Sequence, residues 1–368
     1  MSKQSGGPLR LLLSLLLLAG LCASSPLSAA VPGAAGSYRD HDFDYFVSGE
    51  PHAPRARQTR FLLALMGGGG RVDSAFAALA SAAGGGRIVI LRAVADDSYD
   101  PTDGDYGESF TSKWGPVACA QTIVFHNRVA SYDARVLAIL RNADGIFIAG
   151  GDQANYLRYW KGTPVQAALN RHVAANRPLG GSSAGLAILG HYSYTALDGG
   201  SLESKVALAD AGYAGVTLEN DFLHFRWLEH TITDSHFSAR ARLGRLLVFL
   251  AHIQAQWGES RAFGVGIDER SALLIAADGL ARLAPGSAGS AWFVSEPTAA
   301  EPPLPGRPLS VTDVQVVRLG PDSTLDFVHG RALQAAAETT LSVHAGVPLA
   351  DPGLRGMLSR DVVPPDED

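Results

Sequence analysis

Cysteine is nearly absent, with two in 368 residues. Cys22 lies in an N-terminal apolar stretch, so a processed chain keeps Cys119 alone, and one cysteine excludes an intramolecular disulfide. Cys119 has no His or second Cys near it in sequence and is expected to be a bland, buried thiol. Stability must therefore come from a core, which the 46% apolar composition can supply. The formal net charge of −6 comes with no basic tail or stripe, which sets nucleic acid aside as a partner. No Cys/His set has zinc spacing and no carboxylate run has the spacing of a calcium loop, so neither a metal nor another cofactor is expected. A dinucleotide loop is missing too. Gly67 and Gly69 meet the first two positions of G-x-G-x-x-G, but Val72 stands at the third, and the frame starting at Gly68 fails at Asp73. There are no internal repeats.

The apolar run at residues 11–21 is too short to span a bilayer comfortably. It follows Lys3 and Arg10 and precedes small residues at 23–30, the order of a secretory signal peptide. Cleavage after Ala29 or Ala30 is expected, giving a secreted or periplasmic protein with no membrane partner after processing. Leu21 before Cys22, where a small residue is wanted, argues against a lipid anchor. Loss of residues 1–30 removes two basic and no acidic side chains, leaving a more acidic chain. Residues 31–59 are polar with several prolines and are read as a linker or N-terminal arm. Residues 60–330 form the periodic part. Residues 331–368 end in acidic, Pro-containing sequence and are read as a loose tail.

The 41 glycines are grouped at apparent strand ends. Short apolar runs at 61–66, 87–91, 122–125 and 145–149 have the length and continuity of buried parallel strands. Helical patterns lie between them, at 72–83, at 133–141 with Val136, Leu137 and Leu140 on one face, and at 153–176 with a break near Pro164. Later strands are expected at 265–267 and 272–275, and a final strand pair within 311–327. The alternation predicts an α/β fold, a mostly parallel sheet with helices on both faces.

Gly181-Ser182-Ser183-Ala184-Gly185 has the form G-x-S-x-G between a short strand and a helix start. Small neighbours suit a sharp, strained turn carrying a serine nucleophile, and free N–H groups at the helix start suit an oxyanion. A serine needs a base, and the base needs an orienting acid. His236 follows the β-branched run Thr231-Ile232-Thr233, with His191, His224 and His230 as rivals. Asp268 and Glu269 close a predicted strand, and either carboxylate can orient His236. Arg240, Arg242 and Arg245 follow on a predicted helix. Arg242 and Arg245 share a face and Arg240 does not. They read either as a solvated basic face or as carboxylate recognition. Gly150-Gly151-Asp152-Gln153 ends a strand, where Gln153 can touch substrate and Asp152 can be an N-cap.

Five motifs in order resemble cyanophycinase and the wider aspartyl-dipeptidase group. They are the glycines at 67–70, Gly150-Gly151-Asp152-Gln153, Gly-x-Ser183-Ala184-Gly185, Asp234-x-His236-Phe237 with Arg240-x-Arg242-x-x-Arg245, and Gly264-x-Gly266-Ile267-Asp268-Glu269. The resemblance covers roughly residues 60–330. It implies a class I glutamine-amidotransferase-like α/β fold, with Ser183 as nucleophile, His236 as general base and Glu269 as acid. The N–H groups of Gly69 and Ala184 would form the oxyanion hole, and Gln153, Asp234, Arg240, Arg242 and Arg245 would line the substrate site. The implied reaction is hydrolysis of a β-aspartyl-arginine-type polymer to dipeptides, with a peptide or polymer as partner and a homodimer left open. Ser235 stands where the family typically has Gln, Ser182 where it has Thr, and residues 96–118 and 197–230 are long for it. An aspartyl dipeptidase, another secreted peptidase, an ordinary esterase and an inactive binding protein are the alternatives.

Overall fold

The computed structural model describes residues 37–52, 58–94, 106–115, 117–349 and 352–358. The expected leader at 1–30 lies outside the described residues. Two sheets organise the rest. The larger has eleven strands, ordered Tyr38–Arg39, Phe43–Gly49, Cys119–Phe125, Arg87–Ala93, Gly145–Ile148, Leu179–Ser182, Leu63–Met66, Ala272–Ile275, Leu280–Leu283, Thr324–Asp326 and Arg331–Gln334. Its five central strands, from Cys119–Phe125 to Leu63–Met66, are parallel, and the flanking ones run antiparallel.

The parallel strands read as continuous apolar runs because both sheet faces are covered. Leu63, Leu65, Val89 and Leu91 face helices Ala134–Asn142, Gln153–Trp160 and Pro164–Ala174, and pack on Val136, Leu157, Trp160 and Leu169. Ala64, Met66, Ile88 and Ile90 face the opposite way, onto Phe76, Leu79 and Phe110 of helices Asp73–Ala82 and Tyr106–Ser112 and onto Trp114 just after the second. The two central helices that share the 153–176 pattern separate where Pro164 opens the second one, with the Thr163 hydroxyl accepting from Val165 N–H as its cap. The α/β reading of the sequence holds.

The second sheet, of seven strands, starts from Thr231–Asp234, which runs parallel to Phe263–Ile267, and continues antiparallel through Ala291–Val294, Val311–Leu319, Ala337–His344 and Val347–Leu349, with Ala299–Ala300 pairing beside Val311–Leu319. Helix Leu243–Trp257 lays Leu246, Leu247, Leu250 and Ile253 against it.

Three expectations change. Part of the expected N-terminal arm is sheet: Phe43–Gly49 pairs along its whole length with Cys119–Phe125, burying Phe43 and Tyr45. The expected tail is partly ordered sheet and helix, with strands Arg331–Gln334, Ala337–His344 and Val347–Leu349 and helix Pro352–Leu358. Val311–Leu319 and Thr324–Asp326 are both strands but do not pair with each other: the first belongs to the second sheet and the second to the main one. The first change rests on pairing between strands far apart in sequence, which local pattern does not register, whereas Arg331–Gln334 and Val347–Leu349 pair with the strands just before them in the chain.

The carboxyl ends of Leu63–Met66, Gly145–Ile148 and Leu179–Ser182 lie side by side. The 67–70 glycines, the Gly150-Gly151 turn and Ser183 therefore emerge together at one edge of the sheet, the usual position of a ligand crevice in open α/β sheets.

Candidate active site

Ser183 sits between strand Leu179–Ser182 and the one-turn helix Ala184–Ala187, at φ 53° and ψ −117°. A non-glycine residue at positive φ stores strain of about 1–3 kcal/mol and persists only where its surroundings hold it. Here the Ser183 N–H donates to the Met66 carbonyl at 3.0 Å, and the Ser183 carbonyl accepts from Leu186 and Ala187. The glycines on either side are required by close approach. A Cβ on Gly181 would strike the Gly185 backbone, and one on Gly185 would strike the Ile148 carbonyl.

The Ser183 hydroxyl oxygen lies 2.8 Å from His236 Nε2, and His236 Nδ1 lies 2.8 Å from Glu269 Oε1. A carboxylate only accepts, so the ring proton belongs on Nδ1 and Nε2 is left to accept from the serine. His236 also has positive φ, 47°. Its N–H donates to the Gly67 carbonyl, and the following Phe237 N–H donates to Ile267. The ring is buried, and that burial pushes its pKa down to about 4. The Glu269 bond pulls it back up, while Arg240 and Arg242 add to the fall. His236 is thus neutral at neutral pH, the form a general base needs.

Of the two candidate carboxylates, Glu269 reaches the histidine. Asp268 turns the other way and accepts from Ser238, Ser290 and Trp292. The rival histidines are engaged elsewhere. His230 Nδ1 meets Glu259 at 2.8 Å, His224 Nε2 meets Asp221 at 3.1 Å, and the His191 ring lies 5.3 Å from that of His224.

Asp234, Arg242 and Arg245 form a buried cluster with one another rather than an open wall. Arg245 Nε and Nη2 donate to the two Asp234 oxygens at 2.8 and 2.5 Å, and Arg242 Nη1 donates to Asp234 at 3.2 Å. Ser201 completes it, accepting from Arg242 at 3.0 Å and Arg245 at 2.9 Å, and the Leu202 carbonyl takes a further Arg245 N–H. Burial alone would raise the Asp234 carboxyl, but Arg245 and Arg242 outweigh it and hold it below its ordinary value. Burial and then Arg245 push Arg242 down to about 9, still charged at neutral pH. The resemblance implies a wall-lining role for these three; in the structure their side chains are enclosed and their hydrogen-bonding groups meet partners inside the protein. The expected helix also starts later, at Leu243 with Arg242 as its cap residue, so Arg240 lies in the preceding turn. Arg240 is exposed and makes no ion pair among the described residues.

Gln153 is half-buried at the first position of its helix, and Asp152 caps that helix by accepting from Ala154 N–H at 2.9 Å. Sequence reasoning passed over two contacts. Gly150 backs onto Ser183, where an added Cβ would stand 3.3 Å from the serine Cβ, and Gly68 lies against both Ser183 and His236. Gly69 lies against Glu269. Their clustering at adjacent strand ends is the signal that would have found the first two. A cavity of about 470 Å³ is lined by Phe46, Ile90, Arg92, Tyr106 and Thr122 together with Ala149, the residue before Gly150. Cys119 is buried, as expected. Among the described residues no group of three or more His, Cys, Asp or Glu is placed to hold a metal ion, and no helix is long and apolar enough to cross a membrane.

The model of peptidase family S51 matches residues 65–282. The cyanophycinase of Trichormus variabilis is 29% identical over 147 residues, covering 40% of this chain and 44% of that protein. The cyanophycinase of Geminocystis herdmanii is 27% identical over 187 residues, 50% of this chain and 62% of the other. That of Synechococcus elongatus is 33% identical over 159 residues, 43% and 44%. The matches thus span less than two thirds of the length of these relatives. Among solved structures, a peptidase from an acI-B1 actinobacterium covers 76% of this chain and 97% of its own, with 14% identity and a TM-score of 0.46.

Proposed function

Because the chain belongs to peptidase family S51, we propose that it is a secreted serine peptidase that cleaves aspartyl-type peptide or isopeptide bonds and, like the cyanophycinases it resembles, releases dipeptides from a β-aspartyl-arginine-type polymer. The observation that carries the reading is the continuous relay from the Ser183 hydroxyl to His236 and on to Glu269, both steps at 2.8 Å. The elbow after a central parallel strand also supports a class I glutamine-amidotransferase-like arrangement.

In this reading the Ser183 oxygen attacks the scissile carbonyl carbon while His236 Nε2 takes the hydroxyl proton. The carbonyl oxygen becomes an oxyanion held by the N–H groups of Ala184 and Gly69. Collapse breaks the C–N bond, and His236 gives its proton to the departing amine. Water then attacks the acyl-enzyme, again losing its proton to His236, and Ser183 is restored. Glu269 holds the ring and offsets the imidazolium charge. The acid–base work contributes about 10²–10⁴-fold. Gln153 and Arg240 face substrate, with Arg240 supplying the cation for a substrate carboxylate. Residues 1–30 carry the export signal.

A second reading, a peptidase for another peptide, draws on the enclosure of Arg242 and Arg245, which leaves the substrate fewer cations than the resemblance implies. The test is dipeptide release from purified cyanophycin by the expressed full chain beside its Ser183→Ala variant. Release by the first alone supports the proposal. Release by neither, with cleavage of plain or α-aspartyl dipeptides in a parallel panel, favours the second reading.

A further inference from the structure

Three residues that end the Phe263–Ile267 strand grip three that carry the proposed base. The Ile267 carbonyl accepts from Phe237 N–H at 3.1 Å, Asp268 accepts from Ser238, and Glu269 accepts from His236. The middle rung is the most heavily bonded. Asp268 Oδ1 accepts from Ser238 N–H at 2.9 Å and from the Ser238 hydroxyl at 2.6 Å, while Oδ2 accepts from Ser290 N–H at 2.9 Å. The Trp292 indole N–H lies 3.1 Å from both oxygens. Every donor is neutral, and Asp268 makes no ion pair among the described residues. It therefore does not serve as a charge partner for Arg240 or Arg242.

What this carboxylate holds is a backbone that would otherwise relax. His236, two residues before Ser238, sits at φ 47°, a conformation that a non-glycine residue keeps only under constraint. The Ser238 bonds fix one end of the strained turn. The Ser290 and Trp292 bonds anchor Asp268 itself to the neighbouring strand Ala291–Val294. We infer that Asp268 is a positioning residue for the proposed hydrolysis: it locks the His236 turn so that the ring meets Ser183 and Glu269 together. The inference rests on the peptidase reading above, with Asp268 touching neither substrate nor the reacting atoms.

The experiment measures the rate of covalent labelling of the full chain by a serine-directed phosphonate, and kcat and KM on a dipeptide the wild type cleaves. It compares wild type, Asp268→Ala, Asp268→Asn and Ser238→Ala, with a thermal melt for each. A ring displaced by about 1 Å can cost up to about 10²-fold, so Asp268→Ala is expected to lose 10- to 100-fold in labelling rate and kcat, with KM within twofold. Asp268→Asn keeps one acceptor and should recover part of the loss. Ser238→Ala keeps the N–H bond and should lose only a few-fold. A folded Asp268→Ala or Asp268→Asn that labels and turns over at the wild-type rate, whatever its melting temperature, overturns the inference while leaving the peptidase reading intact. Should Asp268→Ala fail to fold, wild-type rates in both other variants overturn it equally. A wild type that takes no label overturns the peptidase reading and this inference with it.

Discussion

Gly68 and His236 are packed so closely that a methyl group on Gly68 would stand 2.5 Å from His236 Nε2 and 3.0 Å from Ser183 Cβ. The glycine also has φ 83°, where an L side chain is strained. Contact and conformation therefore act together to keep the path from nucleophile to base clear. A Cβ at this position would have to push the ring off the hydroxyl that it meets at 2.8 Å.

Gly68→Ala should therefore abolish the serine–histidine bond before it abolishes the fold. The left-handed backbone penalty is about 1–2 kcal/mol, which a domain of this size survives. The expected result is a loss of about 10²-fold or more in phosphonate labelling, with a cooperative melt retained. Labelling at the wild-type rate would mean that the ring does not need the position it occupies.

The histidine also sets the pH dependence. Burial lowers His236 to about 4, and the Arg240 charge contributes to the fall. The base is neutral above that value and is lost as pH falls through it, so the acid limb of kcat/KM is expected near pH 4 rather than at the ordinary histidine value of about 6.5. Arg240→Gln removes a cation that disfavours the imidazolium, so the limb should move to higher pH. The variant would lose activity at pH 5 relative to wild type, with no loss from this cause at pH 7. An unmoved limb would detach Arg240 from the base.

The elements that carry this chemistry were legible because each is a local pattern. The apolar runs at 63–66 and 87–91 declare strands covered on both faces, and the Gly-x-Ser183-x-Gly turn declares an elbow. The residue pattern alone does not separate Glu269 from Asp268, since both follow the same strand, and only the family resemblance points to Glu269. Alternation along the strand sends them to opposite sides, and only the approach of His236 to one of them makes the distinction. Prolines and charges around Phe43–Gly49 give it the look of an arm, although Phe43 and Tyr45 alternate inward with Asp44 between them. Asp44 itself is buried in the strand, 3.3 Å from His126. The spacing of Arg242 and Arg245 predicts one helix face, and in the structure Arg242 is the cap residue of the helix that carries Arg245. That spacing alone does not reveal that Asp234, eleven residues before Arg245, fills the space between their guanidinium groups.

That enclosure predicts a structural cost. Asp234→Ala leaves two buried guanidinium groups without their carboxylate, and breaking one partner of such a pair costs about 3–5 kcal/mol. The melting temperature should fall by roughly 5–10 °C at neutral pH. If Asp234 instead faced substrate, the variant would melt as the wild type does and show its loss only in KM.

His172 should impose a separate acid sensitivity on the fold. Its Nε2 lies 3.0 Å from the Pro178 carbonyl, which fixes the proton there, and its Nδ1 is buried with no partner among the described residues. Protonating Nδ1 would bury an uncompensated charge, and burial lowers the group to about 4. Between pH 6.5 and 4 the unfolded chain therefore binds a proton at His172 that the folded chain refuses. The stabilisation is complete above pH 6.5, falls by about 1.4 kcal/mol per pH unit below it, and is lost by pH 4, about 3 kcal/mol in all. His236 and the carboxylates titrate in the same window, so wild type is best compared with His172→Gln, which does not titrate and can still donate to the Pro178 carbonyl. Urea unfolding at pH 7, 6, 5 and 4 should show the stability difference between the two shifting steadily toward the variant as pH falls. A difference that stays constant across that range would show that His172 takes its proton equally well in both states.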